Sequence, residues 1–173
     1  YCNESGLDAD LKRRVLASSA TGDAHVFTDP VASPTGFPIK VVQLDGTMSE
    51  ADAYAHRDRV CDLGYLRHAY RDADGAVGWR CPAEPVADYV AKGGDEAETV
   101  GRKCICNGLM ATIGQPQVRA DGSVELPFVT SGDRVAGVAD FLTPGATSYT
   151  ARDVLDQLLA GVLTEAAPAR AGD

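Results

Sequence analysis

Between Asp29 and Gly122 glycine and proline recur so often that no long helix or strand can run through uninterrupted. The segment Ser33-Pro34-Thr35-Gly36-Phe37-Pro38 has to turn, because each proline removes a backbone donor and fixes φ. Asp29-Pro30 ends the short strand suggested by His25-Val26-Phe27-Thr28. Asp72-Ala73-Asp74-Gly75 reads as a turn, and Asp121-Gly122 reads as a hairpin between Gln117–Arg119 and Val124–Leu126. With aromatics at only 6%, the core has to be built mainly from Val, Leu and Ala. Such a chain does not supply the strand–helix alternation of a complete parallel barrel. Its own residues predict a helix-rich α+β fold with few strands.

Helical periodicity is clear only outside that middle. Leu7, Leu11 and Val15 recur every four residues, with Asp8 and Asp10 at the start and Gly22 at the end, predicting a helix over about 8–20. Ile39 to Leu44 is extended or begins a helix. Ser49 and Asp52 suggest a capped helix over about 50–58. The stretch 61–94 reads as irregular, apart from an extended Gly78-Trp79-Arg80 and a helix after Pro85 that carries Val86, Tyr89 and Val90 and stops at Gly93-Gly94. A helix within 95–111 would be interrupted at Gly101 and Gly108. Val135, Val138, Ala139 and Leu142 share one helix face. Val154, Leu155, Leu158, Leu159, Val162 and Leu163 share another, on a helix starting at Thr150 with Asp153 three positions on. The residues from Glu165 onward read as a frayed tail.

At 173 residues the chain has the length of one domain. Its net charge of −9 opposes nucleic acid and anionic membrane surfaces. The one dense basic run, Lys12-Arg13-Arg14, belongs to the outer face of the first helix. No stretch is long and apolar enough to span a bilayer, and no basic-then-apolar leader opens the sequence. Five cysteines, an odd number, fit a secreted disulfide framework poorly and point to a reducing cytoplasm. Tyr1-Cys2-Asn3-Glu4-Ser5-Gly6 reads as the end of a strand entering a loop, which suggests a truncated chain.

Four thiols, Cys61, Cys81, Cys104 and Cys106, are the candidate metal ligands, four soft donors being what tetrahedral zinc or an iron–sulfur cluster takes. Their spacing lacks the usual C-x₂-C knuckle, so a disulfide or thiol-switch pair and buried free cysteines stand beside the metal reading, under which the chain would be a small zinc-stabilised interaction module. His56, among Asp52, Arg57 and Asp58, reads as solvated, and His25 and His68 complete no nucleophile–base signature. No glycine-rich phosphate cradle is present. Glu4 and Ser5, on a loop at a strand exit, are candidate cofactor contacts in a barrel setting, or else caps for the helix that follows.

Longer phrases add a resemblance. Thr28-Asp29-Pro30-Val31-Ala32-Ser33-Pro34-Thr35-Gly36-Phe37-Pro38-Ile39-Lys40, Cys61-Asp62-Leu63-Gly64-Tyr65-Leu66-Arg67 and Cys81-Pro82-Ala83-Glu84-Pro85 are three of them. Lys92-Gly93-Gly94-Asp95, Cys104-Ile105-Cys106-Asn107-Gly108-Leu109, Thr130-Ser131-Gly132-Asp133 and Ser148-Tyr149-Thr150 follow in order. Together, from Cys2 to about Leu163, they resemble the nitronate monooxygenase (2-nitropropane dioxygenase) family, in an actinobacterial-type branch with a cysteine-bearing extension. The resemblance implies an α/β fold, the C-terminal part of an FMN-binding TIM barrel with an added domain, oxidising alkyl nitronates with O2; related barrels are enoyl-reductases. On that reading residues 1–28 end the barrel, 29–127 are the added Cys/Gly/Pro-rich segment, 128–164 are closing helices and 165–173 the tail. The family's phosphate loops and catalytic histidine would precede its last barrel strand, so no catalytic residue carries over to this chain. Taken alone, the chain is then expected to bind no flavin. It is also expected to expose the apolar faces of its helices at 8–20, 133–142 and 151–163 and to self-associate through them.

Overall fold

The computed structural model describes residues 1–165 of the chain, and the remainder of the expected tail lies outside the described residues. The fold is α+β with few strands: two separate two-stranded antiparallel sheets and five α-helices among the described residues.

Helix α1, Ala9–Thr21, forms where its apolar spacing predicts. The Asp8 carboxylate accepts from the Asp10 and Leu11 amides at 2.9 and 3.1 Å, and Gly22 closes the helix in the left-handed region at φ 79. Strands β1 (Val26–Asp29) and β2 (Ile39–Val42) pair with Val26 opposite Val42 and Asp29 opposite Ile39. The turn between them is held from a distance. Asp29 accepts from the Val31 and Ala32 amides and from Lys103 Nζ, at 3.0, 2.9 and 3.0 Å. Arg102 donates to the carbonyls of Val31 and Ser33 at 2.8 and 2.6 Å.

Strand β2 and the extended segment 127–130 form the partition of the molecule. The Val42 amide donates to Val129 O at 2.9 Å, Met48 N to Pro127 O at 2.9 Å, and Val41 bridges Thr130. Because strand side chains alternate, neighbours on this partition enter opposite cores. Val42 and Val129 pack with Leu11, Val15, Leu44 and Val135. Val41 and Phe128 pack with Ala32, Met48 and Ile105. Residues from the first helix, the middle of the chain and the 126–138 region therefore share these cores.

The segment expected as a helix around 133–142 is a 3-10 helix, Val135–Phe141. Ser19 of α1 supplies a reason: its hydroxyl donates to Ala136 O at 2.6 Å and accepts from Ala139 N at 3.1 Å. Those two groups would otherwise enter an α-helical ladder. Helix α2, Ala51–Ala55, is shorter than expected and lacks the predicted Ser49 cap, because the Ser49 hydroxyl bonds the Leu44 amide at 3.0 Å. Strands β3 (His68–Arg71) and β4 (Val77–Arg80) form a hairpin around Asp72–Gly75, so part of the stretch read as irregular is sheet. Helix α3, Val86–Ala91, starts just after Pro85. Gly101 does separate a 3-10 turn, Glu96–Thr99, from helix α4, Ile105–Thr112. Gly108 does not interrupt α4. It lies inside, where an added Cβ would stand 2.7 Å from Phe128 Cβ, so glycine lets the helix touch the partition. Residues 1–7 contain no strand; the Asn3 amide instead donates to Tyr149 O at 2.8 Å.

Helix α5, Ala151–Glu165, begins at the predicted Thr150, whose amide and hydroxyl both donate to Asp153 Oδ2 at 2.7 Å. Its apolar stripe stays bare: Leu155, Leu158, Leu159 and Val162 are 55–61% exposed. The other two faces expected to be bare cover each other, since α1 packs on the 3-10 helix through Leu11, Val15 and Val135. No described helix is long and apolar enough to cross a membrane.

Candidate functional site

Three chain segments converge around the thiols. Gly64, at φ 68, turns the 61–67 loop back on itself so that Arg67 reaches Cys61. Arg67 Nη2 donates to Cys61 O at 2.9 Å and to Cys61 Sγ at 3.4 Å. Asn107, buried in the first turn of α4, donates to Val60 O at 3.2 Å and to Asp62 Oδ1 at 2.8 Å, the residues on either side of Cys61. Arg59 donates to Pro82 O at 3.4 Å and to Thr99 O at 3.0 Å, which ties the same loop beside Cys81.

All five cysteines are free thiols. The Asn107 side chain ties the start of α4, beside Cys106, to the chain on either side of Cys61, and Arg59 ties the same loop to Pro82, beside Cys81. Burial pushes the Cys81 thiol up to about 11 against an opposing bond from the Ala83 amide. Burial likewise pushes Cys104 up to about 11, opposed by the Asn107 amide. Among the described residues, no group of three or more His, Cys, Asp or Glu stands close enough to share a metal ion. The metal reading of Cys61, Cys81, Cys104 and Cys106 gains no support from that geometry.

The surrounding polar groups are partly satisfied. Burial acts to raise the Asp62 carboxyl, but bonds from Asn107, Gln117 and the Leu63 amide together hold it below the usual range. Glu84 is buried, pairs with Lys92 Nζ at 2.9 Å through one oxygen, and leaves the other without a hydrogen-bond partner. All three histidines are exposed. His56 Nδ1 is 2.7 Å from Asp52 O, and Arg80 Nε donates to His68 Nε2 at 3.2 Å.

Glu4 and Ser5 do not fit a flavin. A flavin phosphate calls for converging N–H donors, whereas this loop turns its carbonyls inward. Those of Cys2, Asn3 and Ser5 accept from Lys12 Nζ at 3.5, 3.1 and 3.1 Å, saturating that cation. The Glu4 carboxylate accepts from the Ala151 amide at 2.8 Å, a bond that holds it below the usual carboxylate range and makes it a cap for α5. The Ser5 hydroxyl is buried without a partner. Glu4 does cap a helix, then, but the last one rather than the one that follows it.

Sequence reasoning missed a buried charge cluster. Glu125, with a fully buried side chain, lies 2.8 Å from Arg57 Nη2 and 3.2 Å from Arg119 Nη2. The link to Arg119 was accessible in outline, since both residues flank the Asp121-Gly122 hairpin. The link to Arg57 is long-range and has no sequence signal. Arg67 was passed over as well, although it lies within a phrase already singled out.

No protein-family model matches the chain, no curated protein matches its sequence, and no solved structure matches its fold.

Proposed function

We propose that this chain is the outer, C-terminal part of a flavin-dependent nitronate monooxygenase, an enzyme that oxidises alkyl nitronates with O2, or of an enoyl-reductase built on the same barrel. The observation that carries the reading is the ordered series of unusual phrases from Cys2 to about Leu163, which is far more specific than one short motif. One structural feature supports it. The bare stripe of α5 suits a helix that packs on further protein, because contiguous exposed apolar surface marks interaction sites. On this reading the flavin is held by other residues of the enzyme. A flavin supplies the electron chemistry, and protein groups supply position and electrostatics. This chain's share is covering and docking.

The test uses the natural polypeptide that carries this segment. It should show a flavin spectrum and consume O2 when given an alkyl nitronate, while the 173-residue chain alone should be colourless. Near-stoichiometric FMN on the chain alone, or a natural polypeptide without flavin, overturns the reading. The docking face is tested separately by Leu158→Glu with Leu159→Glu. On size-exclusion chromatography the unsubstituted chain should run larger than its 18.1 kDa mass and the double variant as a monomer. A monomeric unsubstituted chain at high concentration removes the support drawn from α5.

A further inference from the structure

We propose that the cavity between α2 and the 117–126 hairpin is a binding site for a small carboxylate, held by Arg57 and Arg119. The cavity measures about 280 Å³, and both arginines line it. Their side chains are 4% and 9% exposed, so each guanidinium has given up nearly all of its water. Such burial is costly unless every donor meets an acceptor.

Glu125 meets that need only in part. Its Oε2 accepts from Arg57 Nη2 at 2.8 Å, but its Oε1 is taken by the Leu126 amide at 2.9 Å. Arg119 Nη2 lies 3.2 Å from that second oxygen without a hydrogen bond to it. Three buried donors, Arg57 Nε, Arg119 Nε and Arg119 Nη2, therefore have no acceptor among the described residues. The charges are unequal as well, since two guanidiniums share one carboxylate. One further singly charged oxyanion balances the charge and supplies the acceptors.

The planar guanidinium fork matches the two oxygens of a carboxylate. Both arginines are already braced. Arg57 Cζ stands 5.1 Å from the centroid of the Tyr54 ring, and Arg119 Nη1 donates to Ser123 Oγ at 3.3 Å. The rest of the lining selects the ligand. Ala53, Val124 and Leu126 give an apolar wall that suits a short alkyl chain, and the volume excludes a large cofactor. Asp58 and Asp121, both exposed, also border the cavity. Their charges repel a doubly charged phosphate more strongly than a carboxylate. The site uses only residues of this chain, so it stands whether or not the chain belongs to a flavoenzyme.

The experiment titrates the 15N-labelled chain with sodium butyrate at constant ionic strength and follows its amide and arginine Nε–H signals by NMR. The expected result is a saturable shift of the Arg57 and Arg119 Nε–H signals and of the Ser123 and Val124 amides. Inorganic phosphate and butylamine should give no saturable shift at the same concentrations. Val124 is 50% exposed, so Val124→Glu should leave the urea midpoint unchanged while its new charge weakens butyrate binding about tenfold or more. Arg119→Lys, which keeps the charge and loses the fork, should weaken it too. The proposal is overturned if butyrate shifts nothing beyond what sodium chloride does, or if phosphate binds as tightly. It is equally overturned if butyrate binds the Val124→Glu variant as well as the unsubstituted chain.

Discussion

Replacing Glu125 by Gln removes one negative charge from between two buried guanidiniums while nearly preserving shape. The side chains of Arg57, Glu125 and Arg119 are 4%, 0% and 9% exposed, so water cannot screen the change as it does at a surface. At the effective dielectric that describes such sites, each unit-charge attraction near 4 Å amounts to about 4 kcal/mol, and the two guanidiniums left behind repel. Desolvation offsets part of this, and removing one partner of a buried pair costs about 3–5 kcal/mol in practice. The loss is a large share of a typical domain's stability of about 5–15 kcal/mol. With a urea slope of about 2 kcal/mol per molar, the midpoint should fall by roughly 2 M. Equilibrium urea unfolding followed by circular dichroism measures it. A shift under about 0.5 M at unchanged slope would refute the reasoning, because it would mean that the arginines are solvated without the carboxylate. A triple variant, Arg57→Met, Glu125→Leu and Arg119→Met, should regain most of the loss by removing all three charges together.

Two further outcomes follow from packing and titration. Gly108→Val forces a branched side chain where a Cβ alone would lie 2.7 Å from Phe128 Cβ, and it should lower stability by about 3 kcal/mol in the same urea assay. Tyr89 is lifted to about 12 by burial and by the hydrogen bond its hydroxyl gives Glu98, against an opposing pull from Arg80. An unfolded tyrosine titrates near 10, so the stability from this raised group is intact below about pH 10 and is lost as pH rises toward about 12. Tyr89→Phe should therefore flatten the fall in urea midpoint between about pH 10 and about pH 12. Tyr1, Tyr54 and Tyr149 are raised as well and keep part of the slope.

What was legible in the sequence was local. Asp8 and Gly22 mark α1 because capping is decided within a turn, and Thr150 with Asp153 marks α5 for the same reason. The Asp121-Gly122 hairpin formed as read, with Arg119 N donating to Ser123 O at 2.8 Å. Misreadings came where a side chain found another partner. Ser19, far back in the chain, holds 135–141 out of an α-helix, and Ser49 serves the nearby Leu44 instead of capping α2. Gly108 was read as a break because composition cannot reveal that Phe128 needs its missing side chain. At the thiols, the sequence marked the phrases but not the ties between them, because Asn107 and Arg59 reach across 45 and 23 positions to their partners.

The partition at 127–130 sets an order of events during synthesis. Phe128 belongs to one core and Val129 to the other, and their backbone groups hold β2 and Met48 in place. Neither core can close until this stretch has left the ribosome. Throughout translation of the glycine-rich middle, Val41, Val42 and Met48 therefore lack the cover that Phe128 and Val129 later bring.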